Sequence, residues 1–249
     1  MTQLAHAEMR EDLACAFRWA ARLNLHEGVD NHFSAAVPGE DGDMRGDRFL
    51  INPYGLHWSE MTASALCLCN EEGKVLEGSE TVENTAFYIH SRIHAKVPSA
   101  RVVLHTHQPY STAVTLLEGG RLEMCEQNAL MFDDRIAYDD NYDGLALDND
   151  EGDRLARAMG NRPIAFLASH GVIVSGATVA DAFTDLFYLE RAAQFQMIAR
   201  ATGGPLRTVP DEVRRSVRRQ FAEERPRLAE RHFSALKRIL DREEPEYRL

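Results

Sequence analysis

Apolar residues recur at helical spacing between Ala5 and Leu25, with Leu13, Phe17, Ala20 and Ala21 on one side, which predicts an amphipathic opening helix. Gly28 and the Asp30-Asn31 pair end it. Phe33 to Val37 and Phe49 to Ile51 read as short strands around a polar, Gly-containing stretch, and 65–70 with 74–77 read as a second hairpin. Helical character returns over 81–96 and stops before Pro98, after which RVVLHT at 101–106 reads as a buried strand. Pro109 suits the first turn of a helix running to Leu117. Two more apolar runs, 164–168 and 172–174, flank Ser169-His170-Gly171, and long helices over 179–200 and 213–240 follow. Consecutive hairpins mixed with helices predict an α/β fold whose sheet is mixed or antiparallel.

At 249 residues and 44% hydrophobic, the chain is long enough to enclose a core and a pocket in one compact domain. No run approaches the roughly 20 apolar residues of a membrane span, and the start MTQLAHAEMRED lacks a basic-then-apolar leader layout, so no membrane association and a cytoplasmic location are expected. Cys15, Cys67, Cys69 and Cys125 form no CxxC pairs and read as thiols of a reducing compartment. A net charge of −11 argues against nucleic acid as a partner. That charge is uneven: residues 207–249 hold 12 basic and 9 acidic side chains, +3, which leaves −14 on the first 206.

The chemistry concentrates in histidine. His105 and His107 stand two apart at the end of an apolar strand, so alternation places both rings on one face. With a third imidazole they would form a three-ligand metal site with one open position. His170 is the best third ligand, because it ends another apolar run and precedes a Gly. The same spacing also fits a half-buried strand with His170 as a loop residue.

The segments DNHFSAAVPG, FLINPYGLHWSEMT, AFYIHSRIHAKVPSARVVLHTHQPYSTAV and ASHGVIVSGATVADAFTDLFYLERAA occur in that order and resemble the class II aldolase/adducin family. The resemblance implies a three-layer α/β fold, with a central, mostly antiparallel or mixed sheet flanked by helices. It runs from about the first helix to Arg200, dividing the chain into a family-like domain, 1–206, and a helical extension, 207–249, packed on that domain or on a neighbouring subunit. It implies that His105, His107 and His170 hold one divalent ion per subunit, zinc first, with manganese, cobalt or magnesium as alternatives. It also implies a homo-oligomer, a tetramer, with sites near subunit interfaces. The family's adducin branch is cytoskeletal and lacks the metal ligands.

Two departures from the family's sugar-phosphate aldolases stand out. Their catalytic Glu, 19 positions before the first metal His, aligns with Ala86, preceded by Asn84-Thr85 where they have Ser-Ser. Their phosphate-binding Thr-Gly aligns with Tyr54-Gly55, and a bulky ring suits a phosphate poorly. Glu83 and His90, seven positions apart on one predicted helix, are candidate replacements for the acid/base, and Glu80 is a further one. Each also reads as an ordinary solvated or core residue. Tyr138 resembles a Tyr at the proton-transfer end of the aldolase site, and Asn31 and His32 match the family's first substrate-binding loop. Tyr54, Gly55, Asn84 and Thr85 complete the candidate substrate contacts. The nine acidic residues within 133–153 read as a solvated loop.

A three-imidazole site keeps the full charge of the ion and can stabilise the enolate left when a carbon–carbon bond next to a carbonyl breaks. The expected activity is that of a metal-dependent lyase, aldolase-type, on a small non-phosphorylated hydroxy-carbonyl or hydroxy-acid substrate. The alternatives are a metal-dependent decarboxylase of a hydroxy (aromatic) carboxylic acid, which does not need the missing base, and a non-catalytic adducin-like interaction protein.

Overall fold

A computed structural model describes residues 4–39, 41–78 and 81–249. The candidate Glu80 lies outside the described residues. Among the described residues the eight strands are β1 His32–Ala36, β2 Arg48–Ile51, β3 Cys67–Asn70, β4 Val75–Glu77, β5 Val102–Thr106, β6 Ile136–Asp139, β7 Ile164–Leu167 and β8 Gly171–Gly176. They form one sheet in the order β4-β3-β2-β1-β5-β8-β7-β6. Every pairing is antiparallel except β6 with β7, which is parallel. Seven α-helices accompany them among the described residues: α1 Ala7–Arg22, α2 Asn84–Lys96, α3 Pro109–Thr115, α4 Gln127–Leu130, α5 Asn149–Met159, α6 Val179–Ala201 and α7 Asp211–Glu243.

Side-chain alternation on the strands divides the core into two faces. Phe33, Ala35, Val102, Leu104, Val172 and Val174 point toward α1, α6 and α7, where they meet Phe17, Phe183, Leu186, Leu189 and Phe233. Val103, Ala165, Leu167 and Ile173 point the other way, onto Ile89 and Ile93 of α2 and Leu155 and Met159 of α5. The result is the three-layer α/β arrangement, a mixed, mostly antiparallel sheet between two helical layers.

Helix α7 lies on α1 and α6. Phe233, Leu236 and Leu240 are buried, Trp19 Nε1 donates to the Leu236 carbonyl at 3.0 Å, and Arg225 pairs at 2.8 Å with the fully buried Asp185. Among the described residues no helix is long and apolar enough to cross a membrane.

The expectation of a solvated loop over 133–153 holds for 140–148, which lie outside helix and strand and are mostly exposed, and not for the rest. The stretch also contains β6 and the start of α5, where Asp139 pairs with Arg154 at 2.5 Å, Asp148 caps α5 by accepting from the N–H groups of Asp150 and Glu151, and Asp153 holds Arg92 and Lys96. Helix α2 begins at Asn84 rather than Thr81, because Glu83 is its cap.

Candidate metal centre

The pairing of β5 with β8 builds the site. His105 lies opposite Ile173 and Thr106 opposite Val172, so the turn between β7 and β8 is held beside the end of β5. Residues 168–170 form that turn between the paired Leu167 and Gly171. Ser169 adopts a left-handed φ of 55°. Gly171 permits the close approach, since a Cβ there would lie 2.6 Å from the Thr106 carbonyl oxygen and 2.8 Å from His107 Cδ2.

This brings His105, His107 and His170 together. One possible ligand nitrogen from each lies within 4.8 Å of the other two. The ring centroids are 5.1 Å apart for His105 and His107, 4.8 Å for His105 and His170, and 4.9 Å for His107 and His170. His105 Nδ1 donates to the Val172 carbonyl at 3.0 Å, and His107 Nδ1 meets Glu27 Oε2 at 2.6 Å. Both partners are acceptors, so both rings carry hydrogen on Nδ1, which leaves Nε2 as the nitrogen each would offer to a metal. His107 Nε2 is buried and has no hydrogen-bond partner among the described residues, an arrangement that costs free energy unless something binds there.

Burial, followed by the neighbouring rings, pushes His105 well below the ordinary histidine range and His170 down to about 4. Imidazole nitrogens converging from three sides fit a divalent ion. Asn31 supports the group from behind, its Oδ1 accepting from the N–H of Glu27 at 2.9 Å and of His107 at 3.2 Å.

The three histidines form one wall of a cleft of about 520 Å³. Glu27, Asp30, His32, Glu83 and Thr85 continue the lining, as do Tyr142, Leu145 and Ala146 from the segment after β6, the Tyr142 ring lying 6.2 Å from that of His170. Among the described residues the lining contains no Lys or Arg. His32 is register-paired with His105, and their rings stack at 5.1 Å. Its Nε2 lies 3.5 Å from Glu83 Oε2.

Glu83 also accepts from the N–H groups of Thr85 at 3.1 Å and Ala86 at 2.8 Å, and from the Thr85 hydroxyl. Burial works to raise this carboxyl. The His32 ring, the Thr85 hydroxyl and the two amides outweigh burial and bring it down to about 2. Glu83 is therefore ionised at neutral pH.

The remaining sequence candidates are distributed as follows. His90 is fully buried behind His32, its Nε2 3.2 Å from His32 Nδ1, and does not line the cleft. Ala86 is buried against Phe49, Ile51, Cys67 and Cys69, so no acid replaces the aldolase Glu there. Asn84 and Tyr54 are exposed and, with Gly55, lie outside the lining, whereas Thr85 belongs to it. Tyr138 lines a separate cleft of about 320 Å³ that shares only Ser169 with the histidine cleft. Its hydroxyl accepts from the Leu122 N–H at 3.1 Å, and Arg121 sits 4.4 Å over its ring. Glu27, Asp30 and Tyr142 were not anticipated from the sequence. Glu27 stands 80 positions from the His107 it orients, and no local pattern encodes such a pairing.

The family model for the Class II Aldolase and Adducin N-terminal domain matches residues 11–197. The chain belongs to this family. Among its class II aldolase/adducin relatives, a putative aldolase class 2 protein of Caulobacter vibrioides is 33% identical over 98% of this chain and 93% of its own length. Human beta-adducin is 35% identical over 78% of this chain, a region that makes up 29% of the adducin. The crystal structure of an aldolase II superfamily protein from Pseudomonas syringae superposes with a TM-score of 0.90 at 34% identity, covering 100% of this chain and 98% of that one. The L-fuculose 1-phosphate aldolase of Glaciozyma antarctica shares the fold, with a TM-score of 0.82 at 24% identity over 100% of this chain and 97% of its own. Class II aldolases typically use a divalent metal, and the histidine triad of this family member has the donor set to bind one.

Proposed function

We propose that the chain is a divalent-metal-dependent carbon–carbon lyase acting on a small, non-phosphorylated hydroxy-carbonyl or hydroxy-acid substrate. The supporting observation is the convergence of three imidazole nitrogens, within 4.8 Å of one another, on a cleft lined by Glu27, Asp30 and Glu83. His105, His107 and His170 hold one ion per subunit, with zinc the first candidate and manganese, cobalt or magnesium the others. Bound there, the ion supplies a Lewis acid for the substrate oxygen next to the bond that breaks.

The chain's own residues do the rest. Val172 and Glu27 hold His105 and His107 in the ligating tautomer. Tyr142, Leu145 and Ala146 line the cleft beside the histidines. His32 and the ionised Glu83 face the substrate, and His90 acts through His32. Three carboxylates without a lining Lys or Arg repel a phosphate dianion, which supports a substrate lacking one.

The buried Ala86 favours a second reading within the same class, decarboxylation. Loss of CO₂ needs no base to start it, whereas retro-aldol cleavage must remove a hydroxyl proton. An assay of the metal-loaded protein over small hydroxy acids and hydroxy-carbonyl compounds separates them: CO₂ release favours decarboxylation and an aldehyde product favours aldol cleavage. If neither appears with any divalent metal, the lyase proposal fails and an adducin-like interaction role replaces it. A cytoplasmic homotetramer belongs to the same proposal. It is supported by four free cysteines and by exposed Leu116, Leu117, Phe195 and Ile198, and light scattering tests the assembly.

A further inference from the structure

Strand β5 ends at Thr106, so the sheet ladder fixes His105 and leaves His107 one residue past its last pair. The chain then passes through Gln108 into α3, whose first residue is Pro109. Whatever holds the backbone of His107 on this side must act through that turn.

The first turn of a helix leaves N–H groups without partners, and the side chain of the residue before it commonly accepts from them. Gln108 occupies that position and makes no such bond. Pro109 has no N–H to satisfy. The next two donors are taken by Glu190, from the middle of α6. Its Oε1 accepts from the Tyr110 N–H at 2.7 Å, and its Oε2 accepts from the Ser111 N–H at 2.8 Å. The Ser111 hydroxyl donates to Oε2 as well, at 2.8 Å. Gln108 Nε2 in turn donates to Ser111 Oγ at 3.1 Å, and the Thr112 N–H donates to the Gln108 carbonyl at 3.0 Å. Gln108 and Ser111 are fully buried, and Glu190 is 6% exposed.

Among the described residues no Lys or Arg pairs with Glu190; its partners are two amides and a hydroxyl. Burying a carboxylate without a cation is costly, and a short polar side chain at position 108 would cap α3 at far lower cost. The remote carboxylate does what a local cap does not. It ties the turn after His107 to α6, which packs on the sheet face opposite the one shared by Val103 and, by alternation, His105. On the other side, Asn31 Oδ1 accepts from the His107 N–H at 3.2 Å.

We infer that Glu190 is a positioning residue of the metal centre: by capping α3 from α6, it fixes the His107 ring where the other two imidazoles converge. The inference rests on the three histidines holding an ion. Glu190 does not line the cleft and acts only through residues 108–111.

Glu190→Gln tests it in the full chain, because the substitution keeps the volume and turns one accepting oxygen into an amide group that meets a donor. Zn²⁺ affinity, measured by competition with a chelator, should fall about tenfold or more, the range for partners that orient a metal ligand. The visible absorption of the Co²⁺-loaded protein should change with it. In metal-free protein, the Tyr110 and Ser111 amides should exchange hydrogen faster than in the parent. Asp185→Asn is the control, since it removes another buried carboxylate of α6, one paired with Arg135 and Arg225. It should lower unfolding stability and keep the parent's Zn²⁺ affinity and Co²⁺ spectrum. Ser111→Ala, a milder change at the same cap, should weaken Zn²⁺ binding in the same direction as Glu190→Gln, and it decides the matter if Glu190→Gln does not fold. Parental affinity in the cap variants, an equal loss in Asp185→Asn, or unchanged amide exchange overturns the inference. Failure of the metal reading looks different: the parent itself takes up neither Zn²⁺ nor Co²⁺.

Discussion

At the scale of single residues, the site depends on which nitrogen of each ring is free. The His-x-His pair was legible in the sequence because strand alternation and a two-residue spacing are local. Glu27 was not, because a loop carboxylate gains meaning only when folding sets it 2.6 Å from His107 Nδ1. Glu83 was legible as a polar group near the cleft, but its capping of α2 depends on the helix starting at Asn84, three residues after the expected Thr81. Replacing Glu27 by Gln keeps an acceptor and removes the charge that favours the Nδ1–H tautomer. Because the Glu27 side chain is 66% exposed, the expected loss in Zn²⁺ affinity is at the lower end for such partners, about tenfold. Competition with a chromogenic chelator measures it, and an unchanged affinity would remove Glu27 from the account.

The elements that carry the site are short and exchange no sequence signal with one another. Hairpins and helices with clear periodicity were legible to within a few residues. Strand β6 was hidden because its four residues lie in an acid-rich stretch and pair in parallel with β7, a long-range partner. Helix α5 was hidden for the same compositional reason, although Leu155, Ala156 and Met159 form its buried side. The β7–β8 turn makes a sharp prediction at this scale. Gly171→Ala forces a methyl group into the Thr106 carbonyl and the His107 ring, so β5 and β8 must separate. A loss of about 1–3 kcal/mol in unfolding free energy is expected, together with weaker metal binding. Thermal unfolding with and without Zn²⁺ reads both, and a variant matching the parent in each would show that the close approach does not matter.

For the whole molecule, burying several neutral histidines makes stability depend on pH. Burial brings His94 down to about 4, and it also pushes His90 and His105 well below 6.5. Between pH 6.5 and about 4 the unfolded chain holds more protons than the folded one. The contribution is therefore complete above pH 6.5 and drains away as pH falls through that window, at up to about 1.4 kcal/mol per pH unit for each such group. Urea unfolding with EDTA at pH 7.5 and pH 5 should show a lower midpoint at pH 5, and an equal or higher midpoint would contradict the burial of neutral rings. The fold as a whole was legible because its family segments span both helical layers and the central strands. The composition of the cleft was not, since its acidic lining and its Tyr142 wall come from loops brought together only by the sheet order. The central claim is that His105, His107 and His170 form one metal site, and elemental analysis of protein purified without added metal, then dialysed against Zn²⁺, tests it most directly. The unsubstituted chain should hold about one ion, and His105→Ala, His107→Ala and His170→Ala should each hold far less. A chain that binds no ion, or variants that retain the full complement, would contradict it.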